Sequence, residues 1–518
     1  MSTYCIHLFR RDYRLDDNTT LIEACKTHDI VIPIFIFNKK QIDKTLNPYR
    51  SDNCVQFLCE SLQDLDKQIK KVSNNKSQLY IYYSNDEFSI LDTLIKKIPN
   101  LKTISFNMDY TKYSKERDAN IEKICKENKI KCLSQDDICL NPIGTILNGS
   151  GNPYTKFTPF WRASAKTDIR KPISNNYKHY LQTSSAIGKL LLKNIGTNGT
   201  NGTNGTNGTN SSISISEVMT PNGKYGIMGP NINDKIPERG GRDNGLAILN
   251  KLKQWNEYND KRDMLIYPTT HLSPFNKFGC VSIREVYWNM EEKLSKSDVD
   301  DGLIRQLIWR DFFYNLSHFH PEIYSEKALN PKYRNIKWAE TAESKRNFKL
   351  WCEGKTGFPA VDAAMKELNT TGYIHNRGRL IVANFLCRLL HIDWKKGEKY
   401  FASKLYDYDP AQNNFGWQVS GANSSGTTSR PLEQTIMNPW LQSFQFDKDG
   451  IYIKKWIPEL KNVLPRDLHK WNEVYGKYIG DSNGDGNGNT NPSIKYIKPI
   501  IDYKIEKEKN LKMYRKYL

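Results

Sequence analysis

Hydrophobic positions in the N-terminal part of the chain fall into short β-rich runs separated by stretches of helical period. The runs are Tyr4–Phe9, Ile30–Phe37, Gln78–Tyr83 and Thr103–Asn107. Between the second and third, Ser51–Lys71 sets Phe57, Leu58, Leu62 and Leu65 on one helical face. Short strands joined by helical crossovers predict a parallel, doubly wound sheet. The stretch FRRDYRLDDNTTL, at the end of the first run, reads as a strand end, a polar turn and an N-capped helix. From Gly240 onward the pattern turns helical, most clearly in Val361–Leu368 and Gly378–Leu390. The expected fold is an α/β N-terminal domain over residues 1–135 and a larger all-α domain over 241–518, joined by a connector at 136–240. The connector carries a low-complexity tract of Thr-Asn-Gly repeats, Gly196–Ser212. Such a tract buries nothing and is expected to be a flexible insert. Asp481–Pro492 is a second polar insert.

Charge narrows the partners. Lys plus Arg number 76 against 57 Asp plus Glu, a net charge of +19 over 518 residues. An excess of that size favours a polyanion, because neutralising phosphates releases counterions. The ten cysteines are scattered, with no C-x-x-C pair and no zinc spacing, so no structural metal and no iron–sulfur cluster is expected. Residues 4–9 are apolar, but Arg10, Arg11 and Asp12 follow at once, so the segment reads as a strand and not as a signal peptide. Free thiols without a leader imply a reducing compartment, hence an intracellular location, cytoplasmic or nuclear. No apolar run is long enough to span a bilayer.

The densest chemistry lies in Tyr373–Gln418, YIHNRGRLIVANFLCRLLHIDWKKGEKYFASKLYDYDPAQNNFGWQ. Asp407 and Asp409 can accept hydrogen bonds from a sugar or fix an arginine. Asn413 offers an amide to a ring heteroatom. Trp394 and Trp417 are oxidisable aromatics, although most of the 11 tryptophans in the chain are expected to be core. Upstream, Tyr267–Ser273 reads YPTTHLS. Hydroxyls at Thr269, Thr270 and Ser273, with nearby backbone amides, can cradle a pyrophosphate, as they can also simply cap a helix.

In the order Arg379, Trp394, Asp407, Asp409, Asn413, Trp417, the stretch strongly resembles the flavin-binding core of the photolyase/cryptochrome family. FRRDYRLDDNTTL resembles that family's N-terminal motif, and YPTTHLS its phosphate loop. The resemblance extends over nearly the whole chain. It implies FAD, bound by Tyr258, Thr269, Thr270, His271, Leu272, Ser273, Arg310, Arg379, Asp407, Tyr408, Asp409 and Asn413. Arg379 and Asp407 would form an ion pair beside the isoalloxazine, and Asn413 would face the flavin N5 atom. Trp417, Trp394 and Trp338 match the family's electron-transfer chain. Arg262, Gln306, Trp309, Asn376 and Arg377 match positions that hold damaged DNA. Asn376 and Arg377 lie in HNRGR, which resembles the H-N-R-x-R strip of members acting on cyclobutane dimers.

The implied activity is light-driven repair of cyclobutane pyrimidine dimers in DNA by electron transfer from reduced FAD. The resemblance is closest to class I enzymes of that type, acting as a monomer with no membrane partner. The alternative from another class is a cryptochrome-type photoreceptor that signals through partners. Asn413 and the absence of a C-terminal extension point to repair. Members acting on six-four lesions carry histidines where this chain has Asn376 and Leu380, and neither residue is a general acid. Two departures fall at lesion-facing positions: Gln306 replaces a usual glutamate, and Val419 replaces a second tryptophan. The resemblance leaves room for a second, antenna chromophore, whether folate, deazaflavin or flavin. Ser114 stands where folate-binding members carry a glutamate, which weakens folate and leaves a deazaflavin, a second flavin or no antenna open.

Overall fold

The computed structural model describes residues 2–193, 211–294, 302–325, 327–421, 432–479 and 494–517. All but the last two residues of the repeat tract at 196–212, and the whole polar insert at 481–492, lie outside the described residues.

The apolar runs form strands β1 (Tyr4–Leu8), β2 (Ile30–Asn38), β3 (Tyr80–Ser84) and β4 (Leu101–Asn107). Their residues are buried almost throughout, as expected of strands covered on both faces. A fifth strand, β5 (Lys131–Gln135), completes a sheet of order β3-β2-β1-β4-β5 with every pairing parallel. β5 escapes a hydrophobic reading because its sequence, KCLSQ, is polar and only half-buried at the sheet edge. The strand order turns back at β1 and β4, so their carboxyl ends open the crevice typical of doubly wound sheets. The helix predicted at Ser51–Lys71 spans Asp52–Val72, and the Ser51 hydroxyl accepts from the Cys54 N–H at 3.3 Å. Phe57, Leu62 and Leu65 on its inner face are fully buried.

By internal contacts the chain forms two compact units. The first joins Met1–Asn256, Thr270–Pro321 and Tyr406–Asp409. The second joins Glu257–Thr269, Glu322–Leu405 and Pro410–Leu518.

In the first unit, the turn after β1 is fixed by buried charges. Asn18 caps the helix Thr19–Thr27 by accepting from the Leu21 N–H. Asp137 accepts from Arg14 Nη2 at 2.5 Å, Arg284 Nη2 at 2.6 Å and Thr19 Oγ1 at 2.7 Å. Asp17 accepts from Arg284 Nε at 2.7 Å and Arg170 Nη1 at 2.5 Å. Arg284 lies on the helix Ile283–Lys293, so the network ties the sheet to a helix far along the chain. Every charge in it is matched, which buried ions require.

The second unit is helical. Pro359 opens Pro359–Thr371 and Gly372, at φ 69°, ends it. The helix predicted at Gly378–Leu390 runs as α-helix over Asn376–Asn384 and continues as a π-helical turn, Phe385–Leu389. Trp394–Lys404 follows, capped by Asp393, then Pro410–Gly416 and a second π-helical turn, Trp417–Gly421. Among the described residues no helix is long and apolar enough to cross a membrane, and no group of side chains has metal-ligand geometry.

Burial alone would raise the Asp137 pKa, but Arg14 and Arg284 outweigh it and hold the carboxyl well below its ordinary 3.8. Its stabilising contribution is therefore present above 3.8 and is lost as pH falls towards the depressed folded value. Asp137→Asn should cost roughly 3–5 kcal/mol in urea unfolding at neutral pH, since it strands two buried arginines. The gap from wild type should close as the medium is made more acidic than the ordinary carboxylate pKa.

Candidate cofactor and substrate site

In the first unit, Thr270–Ser273, the later part of YPTTHLS, leads into the short helix Ser273–Phe278. Thr270 Oγ1 accepts from the Leu272 N–H at 3.4 Å, and His271 adopts a left-handed backbone with φ 51°. His271 Nδ1 lies 3.5 Å from a Glu238 carboxylate oxygen. The Ser273 hydroxyl donates to Asp407 Oδ2 at 2.7 Å, so the loop and the first aspartate of DYD meet across 134 residues of sequence. Asp407 is buried, with 8% of its surface exposed.

Asp409 takes a different partner set. Its Oδ2 accepts from Arg11 Nη2 at 2.5 Å and from the Tyr314 hydroxyl. Arg11 also donates to the Tyr314 oxygen at 2.6 Å and to the Lys277 carbonyl at 2.9 Å. Burial pushes the Asp409 pKa up, but Arg11, Lys277 and Arg310 outweigh it and hold the group ionised far below its usual range. Between the aspartates, Tyr408 stacks on Tyr49 at 6.3 Å, with the Lys277 ammonium 5.7 Å from its ring.

Gln306, Trp309 and Arg310 sit together on the helix Leu303–Phe319. Arg310 donates to the carbonyls of Ile138 at 2.7 Å and Asn276 at 3.3 Å, and its guanidinium lies over Tyr314. Trp309 is half-buried and lies face to face with Phe157, centroids 3.5 Å apart. Ser114, the antenna-region residue, is buried and donates to Asp109 at 3.0 Å.

In the second unit, Thr269 and Tyr373 share a hydroxyl–hydroxyl bond of 2.7 Å. Tyr258 opens a short helix, Tyr258–Lys261, and burial lifts its phenol to about 12. Arg262 is half-buried and Asn376 exposed. Arg377 pairs with Asp263 at 2.7 Å and lies 4.1 Å from the Phe446 ring centroid. Arg379 Nε donates to the Ile374 carbonyl at 3.0 Å. Asn413 Nδ2 donates to the Glu398 carbonyl at 3.0 Å and to its carboxylate at 2.9 Å, which orients the amide.

Trp417 is buried edge-on against Phe401 at 5.0 Å and Trp351 at 6.1 Å. Gly397 permits that seat, because a Cβ there would meet the Trp417 ring at 2.2 Å. Trp394, also buried, is the first residue of its helix. Trp338 is half-buried and edge-on to Tyr514 at 6.5 Å. Trp351 is the neighbour that sequence reasoning missed. It is fully buried with its indole N–H bonded to the Val382 carbonyl, and nothing in its sequence surroundings separates it from an ordinary core tryptophan.

The chain is similar to known proteins over nearly its whole length. Residues 5–175 match the family described as DNA photolyase, and residues 303–516 match the FAD binding domain of DNA photolyase. A deoxyribodipyrimidine photo-lyase from Vibrio cholerae is 30% identical, over 98% of both chains. The crystal structure of an archaeal photolyase from Sulfolobus tokodaii, with two FAD molecules, is similar at TM-score 0.77 and 31% identity, covering 99% of this chain and 100% of that one. A bacterial class III photolyase from Agrobacterium tumefaciens is similar at TM-score 0.82 and 27% identity, covering 100% and 98%. The chain belongs to the photolyase/cryptochrome family, and its relatives set it among the photolyase enzymes, with FAD as the cofactor.

The residues present fit that cofactor. In the first unit the buried Asp407 carboxylate and the exposed Ser273 hydroxyl bonded to it suit a sugar hydroxyl and a phosphate, and in the second the buried Asn413 amide suits a ring edge. Asn276 Oδ1 is buried without a hydrogen-bond partner among the described residues, as a ligand-facing acceptor would be.

Asp407→Ala should yield a folded protein that has lost most of its flavin, read as the flavin-to-protein absorbance ratio after purification. Asp409→Ala, in contrast, should lower the unfolding midpoint of the flavin-free protein, because it strands Arg11 in the interior.

Proposed function

We propose that this protein splits cyclobutane pyrimidine dimers in DNA, using light and an electron from reduced FAD. What carries the reading is the near full-length similarity to enzymes named deoxyribodipyrimidine photo-lyase, joined to the Asp407–Ser273 seat that brings the loop and the DYD segment together. When bound, reduced FAD supplies the excited electron that opens the cyclobutane ring and recovers it afterwards.

The protein's own groups then have distinct tasks. Thr269, Thr270, His271, Leu272 and Ser273 hold the phosphates, with Tyr258, Arg310, Arg379, Asp407 and Tyr408 around the remainder of the cofactor. Asp409 belongs to the support of Asp407 through its bond to Arg11. Asn413, oriented by Glu398, presents its carbonyl oxygen to the flavin ring edge. Trp417, Trp394 and Trp338 carry an oxidising equivalent outward when oxidised flavin is photoreduced, indole being readily oxidised.

Arg262, Asn376 and Arg377 grip the strand around the lesion, with Gln306 and Trp309 against the flipped bases. Arg377 must exchange Asp263 for a phosphate to do so. Ring splitting needs no proton donor, and the positions at which six-four repair needs histidines hold Asn376 and Leu380. Gln306 can still hydrogen-bond the lesion without a charge, whereas Val419 removes one aromatic wall. Slower or looser dimer repair follows from these two positions.

A second chromophore is part of this reading, as in the two-FAD archaeal structure. The Ser114 hydroxyl is engaged by Asp109, which argues against folate there.

Two outcomes test the proposal. Ultraviolet-damaged oligonucleotides should lose cyclobutane dimers in light and not in darkness, while six-four lesions persist. Repair confined to six-four lesions would overturn the choice of substrate. Trp417→Phe should slow photoreduction of oxidised flavin strongly in transient absorption, yet leave repair by chemically reduced enzyme nearly intact. Equal photoreduction in both proteins would place the relay elsewhere.

A further inference from the structure

A row of flat groups runs outward from Trp309 in the first unit. Trp309 lies parallel to Phe157, centroids 3.5 Å apart and planes 6° apart. The Arg305 guanidinium sits 5.4 Å from the Phe157 ring centroid and 4.8 Å from that of Trp161. Arg305 and Trp309 are one turn apart on the helix Leu303–Phe319, with Gln306 beside them. Phe157 and Trp161 are likewise one turn apart on the helix Phe157–Ser164.

Phe157 is buried, but Trp161 is half-exposed. Within five residues of Trp161 in sequence, Lys156, Arg162 and Lys166 are all exposed. An indole left half in solvent beside a guanidinium, on a segment with three further exposed cations, is a poor core element. It is a good platform for a base, because every nucleobase has a π face and the cations can follow the phosphates.

We propose that Trp161 and Arg305 form a stacking strip for single-stranded DNA, flanking Gln306 and Trp309. The proposal rests on the DNA-repair reading and extends it. Trp161 receives an unpaired base next to the lesion, Phe157 packs between Trp309 and Arg305, and Lys156, Arg162 and Lys166 meet the adjoining backbone. The strip offers an aromatic surface outside the lesion pocket, in a protein whose pocket has Val419 in place of a second tryptophan.

The test uses the flavin-loaded full chain and a fluorescein-labelled, undamaged oligothymidylate, with affinity read by fluorescence anisotropy. Trp161→Leu keeps an apolar side chain and removes the π face, so affinity should fall about tenfold, within the range for one stacked base. Trp161→Phe should stay near wild type. Flavin content and unfolding midpoint should be unchanged in both. Replacing Lys156 and Arg162 with glutamine should lower the salt slope by about 0.7 for each phosphate that is no longer neutralised. If Trp161→Leu binds oligothymidylate as wild type does, the row is packing only and the strip is overturned, while repair stands. If wild type binds neither oligothymidylate nor dimer-containing duplex, the DNA-repair reading falls and the strip falls with it.

Discussion

A buried carboxylate must meet a cation, and Asp409 meets Arg11. Much else follows from that pair. Arg11 lies in the turn after β1, and its other bonds reach Tyr314 and the Lys277 carbonyl, so one guanidinium joins the carboxyl end of the central strand, the helix Ser273–Phe278 and the helix of Trp309. The segment Tyr406–Asp409 belongs to the first unit, although the residues before and after it belong to the second. The same four residues deliver Asp407 to Ser273. Asn413 and Trp417 follow in sequence on the next helix and π-helical turn.

The fold is legible where apolar periodicity is strong. β1 to β4 and the helix at Asp52–Val72 lie within a few residues of their expected bounds. β5 is not legible, because an edge strand needs little apolar surface. The single helix expected at Gly378–Leu390 continues as a π-helical turn after Asn384, which apolar spacing alone does not reveal. The grouping of residues into units is also beyond linear reading, since Tyr406–Asp409 is held by the long-range Arg11–Asp409 ion pair and the Ser273–Asp407 hydrogen bond rather than by pattern.

At the site, sequence reasoning reaches residue identities and not their division of labour. Asp407 and Asp409 are equivalent in the pattern, yet one faces a serine hydroxyl and the other an arginine and a tyrosine. The sequence places Arg377 in HNRGR, while the structure also gives it Asp263 as a partner. Trp351 and Phe157 stay invisible because buried aromatics carry no signal until their neighbours are known. Once placed, they set the surroundings of Trp417 and Trp309 respectively.

The central claim is that light absorbed by a flavin in this chain is spent on damaged DNA. The most direct measurement is an action spectrum: dimer repair per incident photon, across the near-ultraviolet and blue, for protein whose flavin is fully reduced. Repair should follow the absorption of the bound chromophores and vanish in darkness or in flavin-free protein. Repair that persists in darkness, or that is unchanged when the flavin is stripped, would contradict the claim.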